Sequence, residues 1–91
     1  MKREKKNESV IPIDNSSEVE EVTLKKIGEK IRKLRKEAGY KNYENFAFDN
    51  DLNRVQYGKM ESGINFTIKS LLKILRVHGM KLNEFFRDID V

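Results

Sequence analysis

Arg54, Val55, Gln56 and Lys59 fall within two turns of one short segment, Asp51-Leu52-Asn53-Arg54-Val55-Gln56-Tyr57-Gly58-Lys59-Met60-Glu61-Ser62-Gly63. None of these side chains is a nucleophile with a base beside it, so the chemistry they offer is recognition. A guanidinium can grip guanine O6 and N7 bidentately, an amide can do the same for adenine, and an apolar side chain can meet a thymine methyl. The alternatives are ordinary ones: a solvated or phosphate-bound Arg54, a Val55 packed against the preceding helix, and a Gln56 used as a helix cap.

The elements that must position these groups are legible from spacing. Leu52, Tyr57 and Met60 share one face of a helix, while Arg54, Val55, Gly58, Lys59 and Ser62 point elsewhere. Asn53 suits the N-cap, with Gln56 three residues on in a capping-box arrangement, which puts the helix start at Arg54 and its close at Gly63. Gly58 costs such a helix roughly 1 kcal/mol relative to alanine. Either close approach to a ligand surface or relief of crowding beside Tyr57 accounts for it.

Four further helices frame this one. Leu24, Ile27, Ile31, Leu34 and Ala38 recur in steps of three or four, predicting an amphipathic helix that ends at Gly39. Ser17 and Glu20 offer an earlier cap, but Val19 and Val22 do not continue the stripe, so the start is placed near Thr23. Asn42 caps a short second helix with Tyr43 and Glu44 in its first turn and Phe46 and Ala47 inward, ending at Asn50 or Asp51. Thr67 caps a fourth whose inner face is read as Ile68, Leu71, Leu72 and Leu75, with Gly79 as its left-handed terminator and His78 in a cap or surface role. Leu82, Phe85 and Phe86 make a last short helix that packs on the domain or across a dimer contact. The expected fold is all-α, a compact five-helix domain over residues 23–91 behind a flexible N-terminal tail, residues 1–22.

Composition narrows the function classes. The chain has 91 residues, one proline, no cysteine and one histidine, so disulfide frameworks and the usual zinc sites are excluded and no metal or cofactor is expected. No apolar run approaches the roughly 20 residues of a membrane span, and no apolar region follows the first lysines as in a secretory signal, so no membrane association and a cytoplasmic location are expected. Residues 23–91 carry fifteen basic and nine acidic side chains, net +6, while residues 1–22 carry four basic and six acidic, net −2. A basic domain favours anionic partners, although a lysine-rich solvated face has the same composition. With no nucleophile–base constellation, phosphate loop or metal cluster, an enzyme is not expected.

Taken in order, the pieces resemble the Xre/Cro and lambda-repressor type helix-turn-helix family from about Leu24 to Phe86. The resemblance rests on Ile27-Gly28-Glu29-Lys30-Ile31-Arg32-Lys33-Leu34-Arg35-Lys36, Phe46-Ala47, Leu52-Asn53-Arg54, Met60-Glu61-Ser62-Gly63, Leu71-Leu72-Lys73-Ile74 and Leu82-Asn83-Glu84-Phe85-Phe86. It implies a lambda-repressor-like helix-turn-helix domain that regulates transcription by binding double-stranded DNA, with residues 54–61 as the recognition helix in the major groove and a homodimer on an inverted repeat. On that resemblance Arg54, Val55, Gln56, Gly58 and Lys59 are expected at the bases, Lys59 with the phosphate backbone as its other assignment. Asn42, Tyr43, Asn53 and Asn65 are expected at phosphates, their alternative being ordinary caps and turns. Arg35 and Glu61 match a pair that links the first and third helices of the family.

Three departures from the family pattern stand out: one extra residue between Gly39 and the cap of the second helix, Asp51 where glycine is usual, and Lys81 where a short polar cap is usual. Asp51 tolerates a left-handed backbone, but its carboxylate would repel phosphate. Lys81 leaves the last helix prone to fray or dependent on a partner. The tail holds Lys2, Arg3, Lys5 and Lys6, a possible auxiliary arm for DNA, and the apolar patch Val10-Ile11-Pro12-Ile13. That patch supports the rival expectation, an antitoxin-like interaction module whose tail binds a protein partner.

Overall fold

The computed structural model describes the backbone of residues 13–90 and the side chains of residues 18–90; the basic tail residues Lys2 to Lys6 and most of the Val10–Ile13 patch lie outside them. Five helices follow in order: α1 (Ile13–Glu37), α2 (Tyr43–Asp49), α3 (Arg54–Glu61), α4 (Ile68–Val77) and α5 (Leu82–Arg87), with no strand among the described residues.

α1 starts at Ile13, ahead of the Thr23 start that the apolar stripe predicts, so the expected tail boundary at residue 22 falls inside a helix. The stripe marks only the part of the helix that meets the core. Once a helix is nucleated, each added residue needs only local agreement. Glu18, Glu20 and Glu21 are good helix formers. Val19 and Val22 remain exposed, so nothing in the core holds this part of α1.

The core gathers Ile27 and Ile31 from α1, Phe46 and Ala47 from α2, Tyr57 and Met60 from α3, Leu71, Ile74 and Leu75 from α4, and Phe85 from α5. Ala38 lies outside it, exposed just before Gly39, whose φ of +95° turns the chain out of the helix. α1 and α3 cross at Gly28: a Cβ there would lie 2.6 Å from the carbonyl oxygens of Met60 and Glu61. Only glycine lets these two backbones approach so closely.

α4 presents a different face from the one its sequence suggests. Ile74 joins Leu71 and Leu75 in the core, whereas Ile68 is 55% and Leu72 44% exposed. Successive residues are rotated by about 100° on a helix, so a stripe centred on Leu71 takes in Leu75 about 40° to one side and Ile74 about 60° to the other, and leaves Leu72 about 100° away. His78, placed by sequence at a cap or on the surface, is the C-cap residue, yet its ring stacks on Phe46 with centroids 5.3 Å apart and planes 11° apart. Burial lowers its pKa, with Glu37 opposing more weakly.

α5 is capped in spite of Lys81. Glu84 reaches back and its carboxylate accepts the Lys81 backbone N–H at 2.7 Å, one half of a capping box that needs nothing from the lysine side chain. Phe85 is buried and Phe86 stands edge-on to it at 5.1 Å.

Candidate nucleic-acid interface

α3 is held on one side and bare on the other. Tyr57 and Met60 are 2% exposed, while Arg54, Val55, Gln56 and Lys59 are all exposed. Asn53 is its N-cap, the side-chain oxygen accepting from the Gln56 backbone N–H at 2.8 Å. The reciprocal half of the expected capping box does not form, because the Gln56 amide turns to α4 and donates to Ser70 Oγ at 2.7 Å.

α2 meets the outer side of α3 through Tyr43. A Cβ on Gly58 would lie 2.6 Å from Tyr43 Cε1 and 3.0 Å from Cζ, so Gly58 is the seat of this ring. The crowding that Gly58 relieves therefore comes from Tyr43 of the preceding helix, not from Tyr57. Tyr43 and Tyr57 stand 6.5 Å apart, and Tyr57 continues to Phe46 at 5.2 Å, an aromatic run from the surface to the core.

Three asparagines share one habit. Asn42 Oδ1 accepts from the backbone N–H groups of Glu44 at 2.7 Å and Asn45 at 3.1 Å, Asn53 from Gln56, and Asn65 from Phe66 at 2.9 Å. Each uses its carbonyl on the backbone and leaves its NH₂ without a partner among the described residues. Such a group can be a cap and a donor to a phosphate oxygen at once, so the two assignments of these residues do not compete. Asp51 sits between α2 and α3 with φ at +58°, its side chain exposed beside this surface.

Arg35 and Glu61 fasten α3 from below. Arg35 Nε donates to Glu61 Oε2 at 2.8 Å and its Nη2 to Oε1 at 3.0 Å, a two-pronged pair whose side chains are 4% and 8% exposed. Arg35 Nη1 also donates to the Tyr40 carbonyl at 3.0 Å, tying the end of α1 to the chain entering α2. The hydrogen bonds that Arg35 donates to Glu61 raise the pKa of the guanidinium. Beside the pair, the Tyr57 hydroxyl is buried without a hydrogen-bond partner, and its pKa is pushed up first by burial and then by Glu61, so it stays a phenol.

Sequence reasoning missed the seat of Tyr43 on Gly58, the Gly28 crossing, the bond from Gln56 to Ser70, and Phe48. Phe48 is 85% exposed on α2, flanking a shallow groove with Glu44, Asn45, Leu52 and Arg54. The signal for Ser70 lay in Thr67-x-x-Ser70, a second polar side chain one turn into α4, but a spacing within one helix carries no information about a partner on another.

No helix among the described residues is long and apolar enough to cross a membrane, and no cluster of metal-ligating side chains occurs among them. Over 66 residues the chain is 39% identical to the control protein C.MunI of a Mycoplasma species, a match covering 71% of this chain and 89% of that relative. No family model and no solved structure matches the chain.

Proposed function

Since the chain belongs to the helix-turn-helix regulator family of the control protein C.MunI, we propose that it acts as a sequence-specific, Xre-like transcriptional regulator with α3 in the major groove of double-stranded DNA. Its activity is occupancy of an operator, with no bond made or broken. The observation that carries this reading is the division of α3: Tyr57, Met60 and the Arg35–Glu61 pair anchor one side, and Arg54, Val55 and Lys59 project from the other. A rigidly seated helix with a free polar face meets what major-groove readout requires.

Arg54, at the first turn, is assigned to a base edge, and Val55 to an apolar contact with a base. Lys59, one turn further, reaches a base or the adjoining backbone. Gly58, occupied from above by the Tyr43 ring, keeps the α3 backbone low beneath it. Asn42, Tyr43, Asn53 and Asn65 are assigned to phosphates, which fix register without reading sequence. A single module of this kind buries only about 600 to 1,000 Å² on DNA. A homodimer on an inverted repeat, its half-sites about 34 Å apart, supplies the rest.

The test is selection of bound duplexes from a random DNA pool by the purified full chain. An enriched inverted repeat is expected, and Arg54→Ala should flatten the preference at one base pair of each half-site. No enrichment by folded protein would overturn the reading.

A further inference from the structure

The polar groups between α3 and α4 form a connected chain. The Ser70 backbone N–H donates to Thr67 Oγ1 at 3.1 Å, the N-cap bond of α4. The two hydroxyls lie 3.0 Å apart, and Gln56 Nε2 approaches Ser70 Oγ at 2.7 Å. Thr67 Oγ1 accepts from the Ser70 backbone N–H, and either hydroxyl can donate to the other, so Ser70 Oγ keeps a lone pair for Gln56 in both arrangements. Gln56 Nε2 donates to it, so the amide nitrogen, not the amide oxygen, points at α4.

That choice of amide orientation has a consequence at the outer edge. One N–H of Gln56 is occupied by Ser70, which leaves Oε1 and the second N–H without partners among the described residues on an exposed side chain. One acceptor beside one donor is the set an amide uses on adenine, Oε1 taking N6–H and Nε2–H giving to N7. Free in solution, the Gln56 side chain would have to give up rotamer freedom on binding, whereas one held by Ser70 has already lost it.

We propose that Ser70, backed by Thr67, is a positioning residue that presents the Gln56 amide to an adenine, so that α4 sets part of the sequence preference of α3 without touching a base. The proposal rests on the reading of α3 as a major-groove helix. It makes Gln56 a base reader because it is bonded to α4, and not in competition with that bond.

The experiment is duplex selection from a random pool with wild-type protein, Gln56→Ala, Ser70→Ala and Ser70→Thr, each checked for an unchanged cooperative melt. Gln56→Ala should relax an adenine preference at one position of the half-site. Ser70→Ala should relax the same position by at least about fivefold, the lower end of what a bidentate base contact discriminates, and leave the position read by Arg54 intact. Ser70→Thr, which keeps the hydroxyl, should restore it. If Ser70→Ala keeps the wild-type base preferences, or Gln56→Ala alters none, the positioning role is overturned while the major-groove reading stands. If wild-type protein enriches no sequence, both fall together.

Discussion

Arg35 and Glu61 are two opposite charges withdrawn almost entirely from water, and the value of such a pair lies in what happens when one member goes. Desolvating both ions offsets most of their attraction, so an intact buried pair adds modest stability, whereas a stranded partner is costly. Here the two-pronged geometry and the third bond to the Tyr40 carbonyl satisfy the guanidinium on three sides. Arg35→Ala leaves the Glu61 carboxylate buried with no counter-charge and is expected to cost about 3 to 5 kcal/mol, read as a lowered midpoint in urea. Arg35→Met with Glu61→Leu, which removes both charges and keeps the volume, should recover most of that loss. Equal destabilisation by both variants would mean that the pair acts through shape alone. The pair was legible only through the family resemblance, since nothing in the spacing of Arg35 and Glu61 brings two helices together. The sequence could not show the Tyr40 carbonyl as a third partner, since a backbone acceptor leaves no mark on residue type.

Elements were legible where local chemistry decides them and less so where neighbours do. The caps Asn42, Asn53 and Thr67 each accept backbone N–H bonds as their residue types predict, and α2 and α3 begin where those caps put them. The inner face of α4 and the early start of α1 went differently, one because packing chose among several apolar residues, the other because a helix can outrun its core. The glycines show the same contrast. Gly28 and Gly58 look alike in sequence, each a mid-helix glycine, yet Gly28 faces carbonyl oxygens of α3 and Gly58 faces a side-chain ring. Backbone cannot step aside, while Tyr43, 38% exposed, can swing away. Gly28→Ala is therefore expected to lower stability by about 1 to 3 kcal/mol, the cost of overpacking a site that cannot relax. Gly58→Ala should leave the unfolding free energy within about 1 kcal/mol of wild type and instead weaken DNA binding by displacing Tyr43. Equal melting losses for the two would refute the distinction.

At the scale of the whole molecule, the charge is divided along the chain: the early part of α1 is acidic, with Glu18, Glu20 and Glu21, and basic side chains prevail from Lys25 onward. A partner that is a polyanion must therefore approach the later elements, and α3 offers Arg54 and Lys59 with no counter-charge bonded to either among the described residues. The asparagines and Tyr43 are neutral, so their phosphate contacts release no counterions, and only the cations set the salt dependence of binding. Each phosphate neutralised by Lys or Arg contributes about 0.9 to the slope of log K against log salt. Lys59→Ala is expected to lower that slope by about 1 per protomer if Lys59 meets a phosphate, weakening all sequences alike. Asn65→Ala should weaken binding at every salt concentration with the slope unchanged. Titrations of the selected operator from 50 to 300 mM salt separate these outcomes. A slope that falls with Asn65→Ala but not with Lys59→Ala would place the cationic contact elsewhere on the surface, and a slope near zero for the wild type would remove the phosphate backbone, and with it duplex DNA, as the partner.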